Sequence, residues 1–253
     1  MKICKLCKEE KPLIGTSHII SDFLHSELYD EKHRLIKFHP EELKKENPKI
    51  SNPPSAVYEG GILCNKCDNE TIGKYETYIS NLLKNNLKDN QKIICREITN
   101  SHNIKIIEVE NLNYVKTKLF LLSILWRTHI STKPEFSSVN LGPYAEKIRI
   151  QLLEEKATNE KDLEISVFKF DKDGGFSSFI GSPIRHFMGH TSYYSIIILG
   201  YVIIFHLRET RLSKKMELSM LKENGKIAIC QLPKEMVGKF VMGYTGVVKN
   251  LKL

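Results

Sequence analysis

The chain has 253 residues, 41% of them hydrophobic and 27% charged, proportions that exclude a disordered or fibrous protein and point to a folded core. Its formal charge of +8 and pI near 9.0 suit a polyanionic partner, most often nucleic acid, although a composition rich in Lys, Ile and Asn produces the same charge without one. The length allows one large domain or two modest ones, and two are expected, over 1–90 and 91–253. Met1 to Lys8 carry charge and two thiols where a cleavable signal needs an apolar stretch. An intracellular, cytoplasmic protein is therefore expected, in which paired cysteines hold metal more often than they form disulfides.

The first block contains two cysteine pairs separated by a charged segment, 41–54, with Pro48, Pro53 and Pro54, which reads as an exposed connecting loop. After Cys67, the spacing of Ile72, Tyr75, Ile79, Leu82 and Leu83 predicts a helix over 68–87. Short apolar runs on either side of Asn100 and Asn103 predict a hairpin within 91–109. Leu112, Val115, Leu119, Leu122, Trp126 and Ile130 recur every three or four residues and predict an amphipathic helix that stops before Pro134. A second starts at Pro143 and uses Tyr144, Ile148 and Leu152.

From Leu163 onward strands dominate: Leu163 to Phe170, a turn at Asp173-Gly174-Gly175, the run Tyr193 to Leu207, and Lys226 to Leu232. The apolar run 193–207 falls short of the ~20 residues of a membrane-spanning helix. Its β-branched and aromatic content around Gly200 favours one long or two short buried strands. No membrane association is expected. The fold class is α+β, the second block having two amphipathic helices on a mostly antiparallel sheet. There is no internal repeat, no dinucleotide-binding glycine motif and no phosphate loop.

Cys4-Lys-Leu-Cys7 and Cys64-Asn-Lys-Cys67 carry the chemistry. A two-residue spacing lets a backbone knuckle aim both sulfurs at one ion, and two knuckles complete a four-thiolate tetrahedral site for a structural Zn2+. The 56 residues between them, 8–63, do not forbid it, because loop-closure entropy grows only logarithmically with length. Two unrelated pairs, or an iron-sulfur cluster on the same four ligands, are the other readings.

Thr16-Ser17-His18-Ile19-Ile20-Ser21 follows the first pair, and Gly-Ile-Leu-Cys-Asn-Lys-Cys-Asp-Asn leads from the second into the helix. Together these resemble the zinc-stapled HNH endonucleases of the ββα-metal type, over residues 1 to about 85. The resemblance implies a treble-clef-like module in which a hairpin carries the first histidine, the helix carries the last metal ligand, and zinc holds the two together. It implies His18 as general base, with Asp68 at the position of the last metal ligand and Asn69 beside it. The catalytic ion would be Mg2+ or Mn2+ and the substrate DNA, with a homodimer and a role in restriction or phage defence fitting the same architecture. Two departures stand out. Ser17 occupies the place where many members have a metal-binding Asp or Glu, and no asparagine clearly orients the histidine, Asn52 and Asn65 being the substitutes. With Ser17 there, the ion would need a more distant ligand, Glu70 or Glu76.

Other readings belong to different classes: a noncatalytic zinc module that binds nucleic acid or a protein, with His18 structural, or a small-molecule enzyme or sensor built on the C-terminal sheet. Arg185, His186 and His190 form a basic cluster that reads as a turn or a phosphate contact. His129 falls near a helix C-terminus. Lys74, Lys84 and Lys88 roughly share a helical face for backbone phosphates.

Overall fold

The computed structural model describes residues 1–38, 51–101, 103–170, 178–188, 191–207, 217–232 and 246–248. The turn at Asp173-Gly174-Gly175, His190 and most of the 41–54 segment lie outside them. The architecture is α+β, with three α-helices among the described residues and a mostly antiparallel sheet.

The N-terminal part is made of short pieces held by knuckles. Strands β1 (Lys2–Ile3) and β2 (Glu10–Lys11) flank the first cysteine pair and face each other antiparallel. The chain then runs beside the second pair: Ile14 N donates to Leu63 O and Gly61 N to Ile14 O, both at 2.9 Å. Strand β3 (Ser17–His18) pairs with β5 (Tyr58–Glu59), and β4 (Ile36–Phe38) leaves this region to join the large sheet. After Cys64 the backbone winds as a π-helical turn, Lys66–Ile72, and continues as α1, Gly73–Leu83. The predicted helix is there, and it ends at Leu83. Lys84 caps it and Lys88 lies beyond, so the expected lysine face does not form; Lys74 pairs with Glu155 at 2.7 Å.

The predicted hairpin is β6 (Ile94–Thr99) against β7 (Lys105–Glu110). Helix α2, Tyr114–Ile130, is capped by the Asn113 side chain, which accepts from Lys116 N, an ordinary N-cap arrangement. It is not the amphipathic surface helix its apolar spacing predicts, because Lys118 through Thr128 is buried on every side. The polar members of that stretch have local or long-range partners: Ser123 and Thr128 donate to the carbonyls of Phe120 and Leu125, three residues back, at 2.7 Å. Lys118 Nζ reaches Asn159 O at 2.7 Å and Asp162 O at 2.6 Å. α3, Tyr144–Glu154, is amphipathic, burying Ile148 and Leu152 while Ile150 and Leu153 are exposed.

Ten strands form the large sheet among the described residues. From one edge it runs through β4, β14 (Gly246–Val248), β9 (Phe179–Gly181), β11 (Thr191–Ile198), β12 (Tyr201–His206), β8 (Glu164–Lys169), β13 (Ile227–Gln231), β7 and β6, with β10 (Ile184–Met188) also on β11. The β8–β13 pairing is parallel. The apolar run 193–207 thus folds as two strands about Leu199 and Gly200, whose φ values of 50° and 83° match the two-residue turn that suits strand twist. Arg185 and His186, read from sequence as a turn, lie instead on β10, where Arg185 faces Tyr194 and His186 faces Tyr193.

A hydrophobic core cluster includes Leu6, Ile19, Leu24 and Leu63 from the cysteine-rich part, Leu119, Leu122, Leu125 and Trp126 from α2, and Ile165, Tyr194, Ile196 and Phe205 from the sheet. It contains residues from both sides of position 90. Truncating one such Leu to Ala costs about 2–5 kcal/mol, so α2 secures the knuckles and the sheet together. Phe168, Phe170, Ile197, Val202 and Ile204 form a second cluster. No helix among the described residues is long and apolar enough to cross a membrane.

Candidate functional site

The four cysteines of the two knuckles converge, with one ligand atom from each of Cys4, Cys7, Cys64 and Cys67 lying within 4.8 Å of all the others. Among the described residues, no other group of three or more His, Cys, Asp or Glu has this geometry. Cys4, Cys64 and Cys67 are buried and Cys7 is half-buried. The knuckles are held by backbone bonds: Lys8 N donates to Cys4 O at 2.9 Å, Asp68 N to Cys64 O at 3.0 Å, and Cys64 N to Cys4 Sγ at 3.3 Å. Burial pushes the Cys67 thiol far up, and Cys64 and Cys4 push it the same way. Burial also acts to raise Cys4, but backbone N–H groups of Cys7, Cys64 and Leu6 outweigh it and leave that thiol below its ordinary value. Four sulfurs at this range make a donor set that fits an ion of the zinc type. Cys95 and Cys230 stand apart on β6 and β13.

The staple brings the β3–β5 ladder against the π-helical turn. Ser17 is fully buried, and its Oγ donates to Asp68 Oδ1 at 2.6 Å. Burial raises the Asp68 carboxyl, the Ser17 hydrogen bond and the Arg127 charge oppose that shift, and the nearby Glu76 charge adds to it. Successive residues of a strand point to opposite sides, so with Ser17 directed inward the His18 ring lies outward, its side chain 34% exposed. Across the ladder His18 faces Tyr58, whose ring meets it edge-on at 6.1 Å.

His18 Nε2 lies 3.8 Å from Asp22 Oδ1, beyond hydrogen-bond length but within ion-pair range. The same carboxylate oxygen accepts from Tyr29 Oη at 2.7 Å. Burial, with Asp22 adding to it, pushes the Tyr29 hydroxyl up to about 12, so it remains a donor. Asp22, and neither Asn52 nor Asn65, is thus the polar side chain beside the His18 ring. Asn52 instead reaches Leu35 O, and Asn65 accepts from the exposed Asn69 side chain at 2.7 Å. Asn69 is not brought to Asp68.

Behind the ladder lies a second layer. Glu76, one of the two distant ligands considered, is already engaged: its Oε1 accepts from Ser21 Oγ at 2.6 Å and from Arg127 at 2.8 Å. Glu70 is exposed. Glu59 of β5 accepts from Ser131 Oγ at 2.6 Å and from Thr132 N at 2.9 Å, just past the end of α2. Burial acts to raise the Glu59 carboxyl, but these hydrogen bonds prevail and hold it below the usual range. His129 lies off this site, its Nδ1 beside Val139 O and Leu141 N.

Sequence reasoning named His18, Asp68, the four cysteines and, as a distant ligand, Glu76, but gave no role to Asp22 or Arg127. Asp22, four residues after His18, carried a usable local signal; Arg127 carried none. Compared with family models, curated proteins and solved structures, the chain matches none.

Proposed function

We propose that the chain is a zinc-stapled, metal-dependent endonuclease of the HNH type that hydrolyses phosphodiester bonds in DNA. The observation that carries this reading is the contact between Ser17 and Asp68, the two positions at which the resembled family binds its catalytic ion. They face each other at 2.6 Å, with His18 the next residue along the strand. Zn2+ on the four cysteines is structural in this reading, fixing β3 and β5 against the turn that bears Asp68. The treble-clef-like, ββα-metal description is part of the same proposal.

Asp68 and the Ser17 hydroxyl are hard oxygen donors. Mg2+ is commonly held by one or two carboxylates, with water and substrate phosphate completing the shell, so these residues fit Mg2+ or Mn2+. When bound, such an ion stabilises charge on the phosphate and the leaving oxygen. His18 takes the proton from the attacking water through Nδ1, the ring nitrogen turned away from Asp22, and the Asp22 carboxylate stabilises the imidazolium that results. Tyr29 holds Asp22 in place. The formal charge of +8 assists approach of the polyanion.

A second reading draws on the same contact. The Ser17 hydroxyl already occupies an Asp68 oxygen, which suits a noncatalytic zinc module that binds nucleic acid. Incubating zinc-loaded protein with plasmid and single-stranded DNA, with Mn2+ or with EDTA, separates the two. Metal-dependent cutting supports the nuclease, while binding without cutting supports the module.

A further inference from the structure

The Arg127 side chain comes from α2, 109 residues away from His18 in sequence, and is 2% exposed. Its Nη1 donates to the His18 carbonyl at 2.7 Å. Its Nη2 donates to Ser21 Oγ at 3.1 Å and to Glu76 Oε1 at 2.8 Å, the oxygen that Ser21 also binds. One planar group thus ties three segments together: strand β3, the turn after it, and α1. We propose that Arg127 is a positioning residue for His18, so that the hairpin site is complete only with α2; this deepens the nuclease reading above and rests on it.

Stability alone is a poor account of this guanidinium. A buried ion pair often contributes no more than apolar residues of the same volume, and Arg127 Nε is buried without a hydrogen-bond partner among the described residues. What the guanidinium supplies is geometry. Its rigid fork of donors holds several acceptors in one plane, which a lysine ammonium does not. It grips the main chain of His18 itself, and small displacements of a catalytic group cost large factors in rate.

The test compares the full-length wild type with Arg127→Lys and with the double variant Arg127→Met, Glu76→Gln, which removes both charges of the pair together. Zinc content and melting temperature establish that each variant is folded. DNA affinity without added Mg2+ or Mn2+, kcat and KM in Mn2+, and the 1H–13C cross-peak of the His18 ring are then measured on zinc-loaded protein. The expected result is a kcat lower by about 10-fold to 100-fold, KM and DNA affinity within about threefold, and a displaced His18 cross-peak. A folded double variant with wild-type kcat and an unmoved cross-peak overturns the proposal. If the wild type cuts nothing, the nuclease reading fails while the cross-peak still decides the positioning claim: displacement supports it and an unmoved peak overturns it.

Discussion

Ser17 and Asp68, 51 residues apart in sequence, meet through one 2.6 Å hydrogen bond in the layer between the β3–β5 ladder and the π-helical turn. Such a short bond to a half-buried carboxylate holds two surfaces in register, and in the proposed nuclease a hard cation would bind there. Ser17→Asp would place two carboxylates face to face. Like charges at that range repel, so the zinc-loaded variant melts below wild type without added Mg2+ or Mn2+. Mn2+ raises its melting temperature more than that of wild type, and electron paramagnetic resonance detects tighter Mn2+ binding. Equal Mn2+ affinity in both proteins would show that position 17 does not face an ion site.

The four-cysteine set predicts one zinc per chain. Cys67→Ser loses the metal, and the cysteine-rich part loses structure with it, because structural zinc contributes folding energy directly. Cys95→Ser, on the exposed β6 strand, leaves both zinc content and melting temperature at wild-type values. Metal analysis beside thermal unfolding checks both. Iron and acid-labile sulfide in freshly purified protein would assign the set to a cluster instead.

Gly60 packs against the backbone just before the second knuckle. A Cβ there would lie 2.4 Å from Gly15 O, whereas one added at Gly15 meets nothing within 4 Å. Gly60→Ala therefore forces apart the strand-like contact that sets β3, at a cost of about 1–3 kcal/mol, and Gly15→Ala is much milder. Chemical denaturation of the two variants gives the comparison; equal losses would contradict it.

His206 carries the clearest pH signature in the sheet. It is 1% exposed, and neither ring nitrogen has a hydrogen-bond partner among the described residues. Burial lowers its folded pKa to about 4. As pH falls below the ordinary value near 6.5, the unfolded chain takes the proton first. Stability is then lost between about pH 6.5 and 4, by on the order of 3 kcal/mol from this residue. His206→Leu flattens that part of the pH profile and is neutral or stabilising near pH 5. A profile as steep as wild type in the variant would remove His206 as its cause.

What could be read from the sequence divides along physical lines. Cysteine spacing, the Leu199–Gly200 turn and the helix after Cys67 are encoded locally, and the structure has all three. The α2 pattern misled because periodicity registers only apolar side chains. Lys118 and Arg127 look like a solvated face until their carbonyl partners, some 40 and 109 residues away, are in place. β10 was hidden for the opposite reason. Its Arg185 and exposed Phe187 lack the alternation of a half-buried strand. The β4–β14 pairing joins residues 36–38 to 246–248, which no local pattern announces.

In the proposed nuclease, His18, Asp68 and a divalent ion act together on a zinc-stapled hairpin. The most direct measurement is cleavage of supercoiled plasmid by zinc-loaded protein in Mg2+ or Mn2+, beside a His18→Ala variant matched in zinc content and melting temperature. Wild type is expected to give nicked and linear products, the variant at least about 100-fold less, and neither protein any product in EDTA. Equal cleavage by the two proteins, or none by either while both bind the plasmid, would contradict the nuclease reading.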